Sequence, residues 1–318
     1  MNSQVYPLPS RTEVDISLAG QDEPDDLDFN LAAREPARPM GRMLIDSGRL
    51  GADDVQRILD YQTRAGLPFG EAGVALGLLG DDDVHQVLAA QFGFAALAPD
   101  SGLAPELVAA TDPDSDAVEH LRALRSQLML RWFENDQRQA ALAVVSPGAG
   151  EGRSWIAANL AVLFSQLGKR TILIDADLRR PRQHQLFGVP GRIGLSAILA
   201  GRAGWDAVSE VKAVPGLWLL PAGAVPPNPQ ELLARPGFAR VITALRSSYE
   251  VILIDTPAAE SCADAGTIAA RAGAALMVAC RDRSSVPRLA SLSEDLRQFG
   301  ITVVGAVLNG APEHAARR

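Results

Sequence analysis

Lysine is nearly missing from this chain of 318 residues: Lys169 and Lys212 are the only lysines among 30 basic residues. Because arginine replaces lysine almost everywhere, an arginine in a motif that usually carries lysine does not by itself indicate lost function. Cysteine is also scarce, and Cys262 and Cys280 stand in apolar stretches, which favours a reducing, cytoplasmic compartment without a disulfide. The formal net charge of −8 argues against a broad surface for nucleic acid.

Long apolar runs are missing as well. No uninterrupted apolar stretch approaches the roughly 18 residues that a membrane-spanning helix needs, and no basic segment precedes an apolar stretch at the N-terminus. We therefore expect neither a transmembrane helix nor a signal peptide. Hydrophobic residues nevertheless make up 47% of the chain, which is enough for one large domain and a small one.

The most informative stretch that is present runs from Ala140 to Trp155 and reads AALAVVSPGAGEGRSW. Its apolar start, 140–145, predicts a buried strand, and a glycine-rich turn follows at 146–152. An alanine- and leucine-rich run, 154–167, then predicts a helix. Strand, glycine loop and helix in this order form a phosphate cradle, because loop amides converge on anionic oxygens and the helix N-terminus adds partial positive charge.

Two positions depart from the usual phosphate loop. Gly152, Arg153 and Ser154 occupy the place of Gly-Lys-Ser, so the loop lysine is an arginine, and Pro147 stands at the position of the first glycine. Taken alone, this pattern is compatible with a phosphate loop and with an ordinary glycine-rich turn between a strand and a helix.

Acidic residues end two later strands. KRTILIDADLRR (169–180) carries Asp175 and Asp177, and YEVILIDTP (249–257) carries Asp255. In a parallel sheet, carboxylates at the C-terminal strand ends point into the crevice where ligands bind. Any one of these acids could be a helix cap or a solvated turn residue. Two such strands after a glycine loop, however, supply what metal–nucleotide chemistry needs: carboxylates and a hydroxyl around Mg²⁺, and a cradle for the phosphates.

Predicted strands and helices alternate from residue 140 onward. The strands are expected at 140–145, 171–175, 217–221, 251–255, 274–279 and 301–307, and the helices at 154–167, 193–200, 229–247, 263–271 and 287–299. This alternation predicts an α/β fold with a doubly wound, mostly parallel sheet. Together with the glycine loop, it indicates a P-loop nucleotide-binding domain. A small all-α domain is expected before it. Asn309, at the end of the last strand, could bond a base edge or simply terminate the strand.

Four segments of different composition divide the chain. Residues 1–37 predict a disordered acidic tail, since the first 36 residues carry eight acids against two arginines. Residues 38–97 contain an internal repeat with glycines and glutamines 29 residues apart, which predicts two helical hairpins packed as a small all-α domain. Residues 98–115 predict a linker, and residues 116–318 the α/β domain.

A charged stripe marks the first helix of the α/β domain, predicted from about residue 116 to residue 133. Glu119, Arg122 and Arg125 are spaced three apart and therefore share one face of that helix. The stripe is either a solvated face or a contact with another subunit.

With these segments in hand, residues from about Asp112 to Gly310 resemble the bacterial tyrosine kinase (BY-kinase) family, in the branch tied to exopolysaccharide chain-length control. The resemblance rests on the stripe and on SPGAGEGRS, ILIDADLRRP, VPPNPQELL, VILIDTP and GAVLN. It implies ATP and Mg²⁺ as cofactors, phosphoryl transfer to tyrosine, and a homo-oligomeric ring assembled through the stripe. It also implies a membrane polysaccharide co-polymerase as partner, and hence a cytoplasmic protein that is peripheral at the inner membrane through that partner.

The resemblance further implies roles for individual residues. Nucleotide contacts fall on Gly148, Ala149, Gly150, Glu151, Gly152, Arg153, Ser154, Trp155 and Asn309. Metal contacts fall on Ser154, Asp175 and Asp255. Catalytic roles fall on Arg153, Asp175 and Asp177, with the two acids serving the metal and the incoming hydroxyl. Oligomer contacts fall on Glu119, Arg122 and Arg125.

Tyrosine usage departs from the family, which usually ends in an autophosphorylated tyrosine cluster. The last tyrosine here is Tyr249, beside a predicted core strand, and the eight residues after Gly310 contain none. We therefore do not expect self-phosphorylation on a C-terminal tail. A non-catalytic, ATP-switched module of the same export system is an alternative to an active kinase. A partitioning ATPase is a further alternative, although the loop lacks the extra lysine that those proteins carry near its start.

The repeat at residues 38–97 resembles the N-terminal domain of type II secretion and type IV pilus ATPases, some of which bind cyclic di-GMP. Its two glycine turns precede helices with Asp53 and Asp82 as the expected caps. The paired helix N-termini could face one dinucleotide, with Arg42 and Arg49 on its phosphates. A protein-docking module without nucleotide is the alternative.

Overall fold

A computed structural model describes residues 39–46, 48–80, 83–84, 87, 102–134 and 140–310. The predicted acidic tail, residues 1–37, lies outside these ranges, as do the last eight residues of the chain and most of the final helix of the predicted repeat. In the described part of the chain, no helix is long and apolar enough to cross a membrane.

A single sheet forms the centre of the described α/β region. Its strands are β1 Ala141–Val145, β2 Thr171–Asp175, β3 Ser209–Glu210, β4 Leu217–Leu220, β5 Val251–Asp255, β6 Ala274–Cys280 and β7 Thr302–Asn309. Their order across the sheet is β3-β4-β2-β5-β1-β6-β7. Neighbouring strands run parallel except β3 with β4, which confirms the predicted fold class.

The helices of the described residues are α1 Met40–Asp46, α2 Ala52–Ala65, α3 Phe69–Ala75, α4 Val108–Thr111, α5 Asp116–Leu128, α6 Arg153–Gln166, α7 Gln183–Leu186, α8 Leu195–Leu199, α9 Pro229–Ala234, α10 Pro236–Ser248, α11 Asp264–Ala272 and α12 Val286–Gln298. Those from α4 onward flank the two faces of the sheet. Side chains of α4, α5 and α6 pack in one core, whereas those of α8 to α12 pack in another. The sheet is therefore doubly wound.

The central strands are apolar on both faces because both faces are covered. All five residues of β1, β2 and β5 are buried. Register places Asp175 of β2 directly beside Asp255 of β5. Two acids at the ends of buried strands thus become neighbours through the parallel pairing, and this pairing positions the site described below.

Two helices differ from the sequence prediction. The helix expected at 229–247 is split into α9 and α10, because Pro236 lacks an N–H and Arg235 before it adopts an extended backbone (φ −64°, ψ 153°). The helix expected at 116–133 is α-helical only to Leu128 and ends in a π-helical turn, Met129–Phe133.

The N-terminal repeat is helical as predicted, and its glycines allow close packing. A Cβ on Gly41 would lie 2.9 Å from Val55 Cγ1, and a Cβ on Gly73 would lie 2.5 Å from Leu79 Cδ1. Side chains around Leu44 and Ile58, both fully buried, form a separate small core. Close packing thus explains the repeated glycine at Gly41 and at its counterpart Gly70, where a Cβ would lie 2.6 Å from Val84 Cγ1, whereas Gly48 and Gly77 are in left-handed turns with φ +71° and +67°.

Residues 102–112, which the sequence placed in a linker, pack on the α/β region. Leu107 is fully buried in the core beside α6. The amide of Ala109 donates to Asn159 Oδ1 of α6 at 2.9 Å, and the amide of Ala104 donates to the Leu186 carbonyl at 2.8 Å. This part of the expected linker is an ordered element, while the domain boundaries stay a prediction.

Candidate nucleotide site

The predicted site residues meet at the C-terminal edge of the sheet. The loop after β1 leads into α6, and the ends of β2 and β5 lie on one side of it because β5 pairs with both β1 and β2. The loop after β6 and the end of β7 close the other side. This edge is where open α/β sheets bind ligands.

Two loop glycines adopt left-handed backbone conformations that favour glycine: Gly150 has φ +72° and Gly152 has φ +101°. A Cβ on Gly152 would lie 2.1 Å from Asn309 Nδ2, so the approach of β7 also requires glycine there. Asn309 Nδ2 donates to the Glu151 carbonyl at 3.2 Å. Asn309, assigned to the nucleotide from sequence, thus contacts the loop backbone in this structure.

Glu151 holds the loop in shape. Its buried carboxylate accepts from the Gly148 amide at 2.7 Å and from Ser284 Oγ at 2.5 Å. Burial alone would raise the pKa of Glu151, but hydrogen bonds from Ser284, Ser146 and the Gly148 amide outweigh it and lower the pKa below its ordinary value. The ionised side chain of Glu151 therefore stabilises the conformation of the loop, a role that the sequence did not indicate.

The side chain of Arg153 is directed into the protein and is only 8% exposed. Its Nε donates to the Thr256 carbonyl at 2.9 Å, and one terminal nitrogen donates to the Gly148 carbonyl at 2.6 Å and to Ser146 Oγ. These bonds tie the loop to the residue after β5. The sequence placed Arg153 around the phosphates, whereas in this structure its donors are used by the protein's own oxygens.

Asp175 and Asp255 form a pair of fully buried carboxylates side by side. Burial, followed by the negative charge of Asp255, raises the pKa of Asp175 well above its ordinary value. Burial likewise raises the pKa of Asp255 to about 6, while the hydrogen bond from Gln183 and the nearby Ser154 hydroxyl lower it. Two carboxyl groups held this way favour a bound cation, which would relieve their mutual repulsion.

Gln183 at the start of α7 connects these acids and was missed from the sequence. Its backbone amide donates to Asp175 Oδ2 at 2.9 Å, and its side-chain Nε2 donates to Asp255 Oδ2 at 2.7 Å and to the Ser154 carbonyl at 3.1 Å. Its sequence surroundings, RRPRQHQL (179–186), are basic and polar and gave no signal for a buried residue there.

The acid pair fits a divalent cation. Asp175 Oδ1 and Asp255 Oδ1 are buried and have no hydrogen-bond partner, which is costly unless a ligand satisfies them. The hydroxyl of Ser154 lies near Asp255. Among the described residues no group of three or more His, Cys, Asp or Glu side chains is arranged to hold a metal alone. The two unpartnered carboxylate oxygens suit Mg²⁺, which proteins bind through one or two carboxylates plus water and substrate phosphates.

Asp177 lies at the rim of the same site. Its Oδ1 accepts from the amides of Arg179 and Arg180 at 3.1 and 2.9 Å, which fixes the carboxylate in a tight turn. Arg179 in turn pairs with buried Asp264 at 2.8 Å. The structure therefore keeps Asp177 close to Asp175 but outside the buried pair.

A cavity of about 270 Å³ opens beside the loop. It is lined by Gly148, Ala149, Glu151, Glu260, Arg283, Ser285 and Arg288. The guanidinium of Arg283 lies against Gly150, and the amide of Ala149 donates to Glu260 Oε1 at 3.4 Å. Trp155, by contrast, packs against the core on the α6 side. Arg283 and Arg288 add positive charge next to the loop that the sequence analysis did not identify.

The charged stripe on α5 is not uniformly exposed. Glu119 pairs with Arg122 at 3.3 Å, and its side chain is 72% exposed. Arg125 instead donates to the Leu163 carbonyl of α6 at 3.3 Å, and its Nε is buried without a hydrogen-bond partner. Burial lowers the pKa of Arg125 from its ordinary value. One terminal nitrogen of Arg125 thus bonds within its own chain.

Comparison with known proteins agrees with this geometry. The model of the CobQ/CobB/MinD/ParA nucleotide binding domain family matches residues 142–315. Putative tyrosine-protein kinase CapB of Staphylococcus aureus is 34% identical over 201 residues, which are 63% of this chain and 87% of CapB. Putative tyrosine-protein kinase EpsB of Ralstonia solanacearum is 35% identical over 211 residues, 66% of this chain but only 28% of EpsB.

Solved structures give the same result. The kinase domain of the Escherichia coli tyrosine kinase ETK superposes with a TM-score of 0.62 at 29% identity, covering 67% of this chain and 82% of that one. The chimerical protein CapA2B2 superposes with a TM-score of 0.61 at 30% identity, covering 73% of this chain and all of the other. The chain therefore belongs to the CobQ/CobB/MinD/ParA nucleotide-binding domain family and to the bacterial tyrosine kinases.

Proposed function

We propose that the protein is an ATP- and Mg²⁺-dependent protein-tyrosine kinase of the bacterial type. The observation that carries this proposal is the pair of buried, neighbouring carboxylates, Asp175 and Asp255, each with an unpartnered oxygen beside a glycine loop. Such an arrangement is costly to maintain unless it serves a cation. The similarity to CapB and EpsB, both named putative tyrosine-protein kinases, supports this reaction.

The residues divide the work of phosphoryl transfer. Amides of the loop and the start of α6 hold the phosphates. Ser154, Asp175 and Asp255 would hold Mg²⁺, which would neutralise charge that develops on the phosphate oxygens. The phenolic oxygen of an acceptor tyrosine bonds to the γ-phosphorus as the bond to the ADP oxygen breaks, and Asp177 takes the phenolic proton.

The inward direction of the Arg153 side chain favours a second candidate. With Nε and one terminal nitrogen bound to Thr256, Gly148 and Ser146, Arg153 has fewer donors left for a transferred phosphate in this arrangement. A protein of this kind could bind ATP and act as a non-catalytic switch in the same export system. Turnover separates this candidate from the kinase, whereas nucleotide binding does not.

The decisive experiment uses the full chain with γ-labelled ATP, Mg²⁺ and a tyrosine-containing acceptor polypeptide, with and without the cytoplasmic tail of a cognate membrane co-polymerase. A kinase transfers label to acceptor tyrosine, and transfer stops in EDTA. If ATP binds in the presence of Mg²⁺ but no label is transferred, with or without the co-polymerase tail, the non-catalytic switch is the remaining candidate. Absence of ATP binding contradicts both candidates.

We also propose the partner and location that the family resemblance implies: a membrane polysaccharide co-polymerase, with the protein cytoplasmic and peripheral at the inner membrane. A homo-oligomeric ring would use exposed Glu119 and half-buried Arg122 of the stripe. Because Arg125 has bonds within its own chain, the appropriate test is Glu119→Ala/Arg122→Ala, which should reduce the ATP-dependent increase in light scattering. Unchanged assembly contradicts this contact.

For residues 38–97 we propose a protein-docking module. Helix starts in this region carry their own acids: the Gly51 amide donates to Asp54 and the Gly80 amide donates to Asp83. Arg49, assigned to a cyclic di-GMP phosphate from sequence, pairs with Asp83. These contacts disfavour an anionic dinucleotide at the helix N-termini.

A further inference from the structure

We infer that Gln183 is a positioning residue that holds both acids of the site so that one oxygen of each is presented to a single cation. The inference rests on the proposed ATP·Mg²⁺ site and adds to it a residue that contacts neither phosphate nor acceptor. It assigns a specific role to a fully buried amide whose partners are all parts of that site.

The hydrogen bonds of Gln183 divide the oxygens of the acid pair into two sets. Asp175 Oδ2 accepts from the backbone amides of Arg182 and Gln183, at 3.0 and 2.9 Å. Asp255 Oδ2 accepts from Gln183 Nε2 at 2.7 Å. The other oxygen of each carboxylate, Oδ1, has no partner. Two backbone amides thus orient Asp175, the Gln183 side chain orients Asp255, and the matching Oδ1 oxygens are left unused.

The same side chain reaches the phosphate loop. Gln183 Nε2 donates also to the Ser154 carbonyl at 3.1 Å, and Ser154 supplies the hydroxyl next to Asp255. The Gln183 side-chain amide, at the start of α7, therefore links the start of α6 to the end of β5. Because both protons of that group are used, the amide cannot rotate without losing a bond to a buried oxygen.

The remaining oxygen of Gln183 points to the kind of ligand. Gln183 Oε1 is buried and unpartnered, as are the Oδ1 atoms of the two acids. Three unpartnered oxygens around one buried amide are an acceptor-only set, which suits a hydrated divalent cation and not an anion or an apolar group. Gln183 Oε1 can accept from a water of the hydration shell while the carboxylates face the cation.

The test measures how much Mg²⁺ tightens ADP binding. Calorimetric titrations of the full chain with ADP are made in Mg²⁺ and in EDTA, for wild type, Gln183→Met and Gln183→Asn. Methionine keeps the length but removes the polar atoms, and asparagine keeps the amide but is too short to bridge. Gln185→Met, on the same helix but exposed, is the matched control.

Wild type and Gln185→Met should bind ADP more tightly in Mg²⁺ than in EDTA. In both Gln183 variants the gain from Mg²⁺ should fall by about 10- to 100-fold, the usual cost of losing a residue that orients metal ligands, while affinity in EDTA changes by no more than about twofold. Full retention of the gain overturns the inference. Loss of affinity in EDTA to the same extent, or unfolding of both variants by circular dichroism, assigns a purely structural role and also overturns it.

The result is separable from the proposed function. If wild type binds no ADP in either buffer, the nucleotide site itself is wrong. If wild type gains affinity from Mg²⁺ and both Gln183 variants gain equally, the site stands and the assignment of Gln183 falls. A direct titration of Mn²⁺ into ADP-saturated protein, followed by electron paramagnetic resonance, gives a second readout that is independent of turnover.

Discussion

The first helical turns of two regions of this protein carry different charges. In the N-terminal repeat, the first turn of α2 carries Asp53 and Asp54, and the amides of Gly51 and Gly80 donate to Asp54 and Asp83. The first turn of α6 carries no acid, and its cap residue is Gly152. A helix N-terminus attracts anions through its amides and partial positive charge. A first turn without acids at α6, and acidic first turns in the repeat, therefore favour an anion at α6 and disfavour one in the repeat.

The largest expected effect removes charge from the acid pair. Asp175→Asn or Asp255→Asn should lower phosphoryl transfer by roughly 100-fold or more, because each substitution removes a metal ligand. The fold should persist, since a neutral amide of the same shape relieves the repulsion between buried carboxylates. Phosphoryl-transfer assays measure the first effect, and thermal unfolding shows whether the fold persists. Asp295→Asn, on the exposed face of α12, is the control, and wild-type transfer in both site variants contradicts the assignment.

The next largest effect is expected from a side chain placed in the phosphate loop, where it would block an anion from the amides of α6. Gly152→Ala forces a side chain into a left-handed backbone and towards Asn309. We expect loss of detectable nucleotide binding and a decrease of about 1–2 kcal/mol in the free energy of unfolding from backbone strain. Gly201 also has a left-handed φ, +69°, but has open space around it, and Gly201→Ala is the control. It should show the strain alone, and an equal loss of nucleotide binding there would refute the crowding argument.

A smaller effect is expected at the arginine of the loop. Arg153→Lys should keep nucleotide affinity within about tenfold, since loop amides and the helix dipole remain. The free energy of unfolding should fall by about 1–2 kcal/mol, because lysine cannot bond the Thr256 and Gly148 carbonyls with a planar fork. Exposed Arg180→Lys serves as control in calorimetry and denaturant unfolding. A large loss of affinity in Arg153→Lys would mean that arginine contacts the nucleotide itself.

The smallest effect belongs to the acid-capped helices. Asp54→Asn and Asp83→Asn should each lower the stability of the repeat by about 0.5 kcal/mol, since each removes a favourable charge from a first helical turn. Wild type should show no amide shifts in NMR with cyclic di-GMP at about 100 μM, a concentration well above the micromolar range of a useful site. Saturable binding of cyclic di-GMP at that concentration would show that the repeat binds an anion and would contradict the difference proposed between it and α6.

Sequence patterns predicted the parts of the fold that depend on local order. Apolar runs ending in Asp175 and Asp255 gave two central strands, and the glycine loop gave the start of α6. The break at Pro236 could have been recognised, since proline removes an N–H and restricts the residue before it. The edge strand β3 could not, because Ser209–Glu210 is too short for any periodicity.

The site was less predictable because its side chains are paired through tertiary contacts. The buried direction of Arg153 depends on the Thr256 carbonyl, 103 residues away. The bridge from Gln183 to Asp255 spans 72 residues and exists only because β2 and β5 are neighbours. Arg125 likewise leaves the charged stripe for a carbonyl on α6. Residue types at a site follow from sequence patterns, whereas the donors and acceptors they use follow from packing.

The most direct test of the acid pair as a cation site is a calorimetric titration of Mg²⁺ into ADP-saturated protein, compared between wild type and Asp255→Asn. Wild type should bind one Mg²⁺ per chain, and Asp255→Asn should bind Mg²⁺ at least about tenfold more weakly with the fold intact. Equal Mg²⁺ affinity in the two proteins, with ADP bound to both, would contradict the assignment of the unpartnered oxygens of Asp175 and Asp255 to a divalent cation.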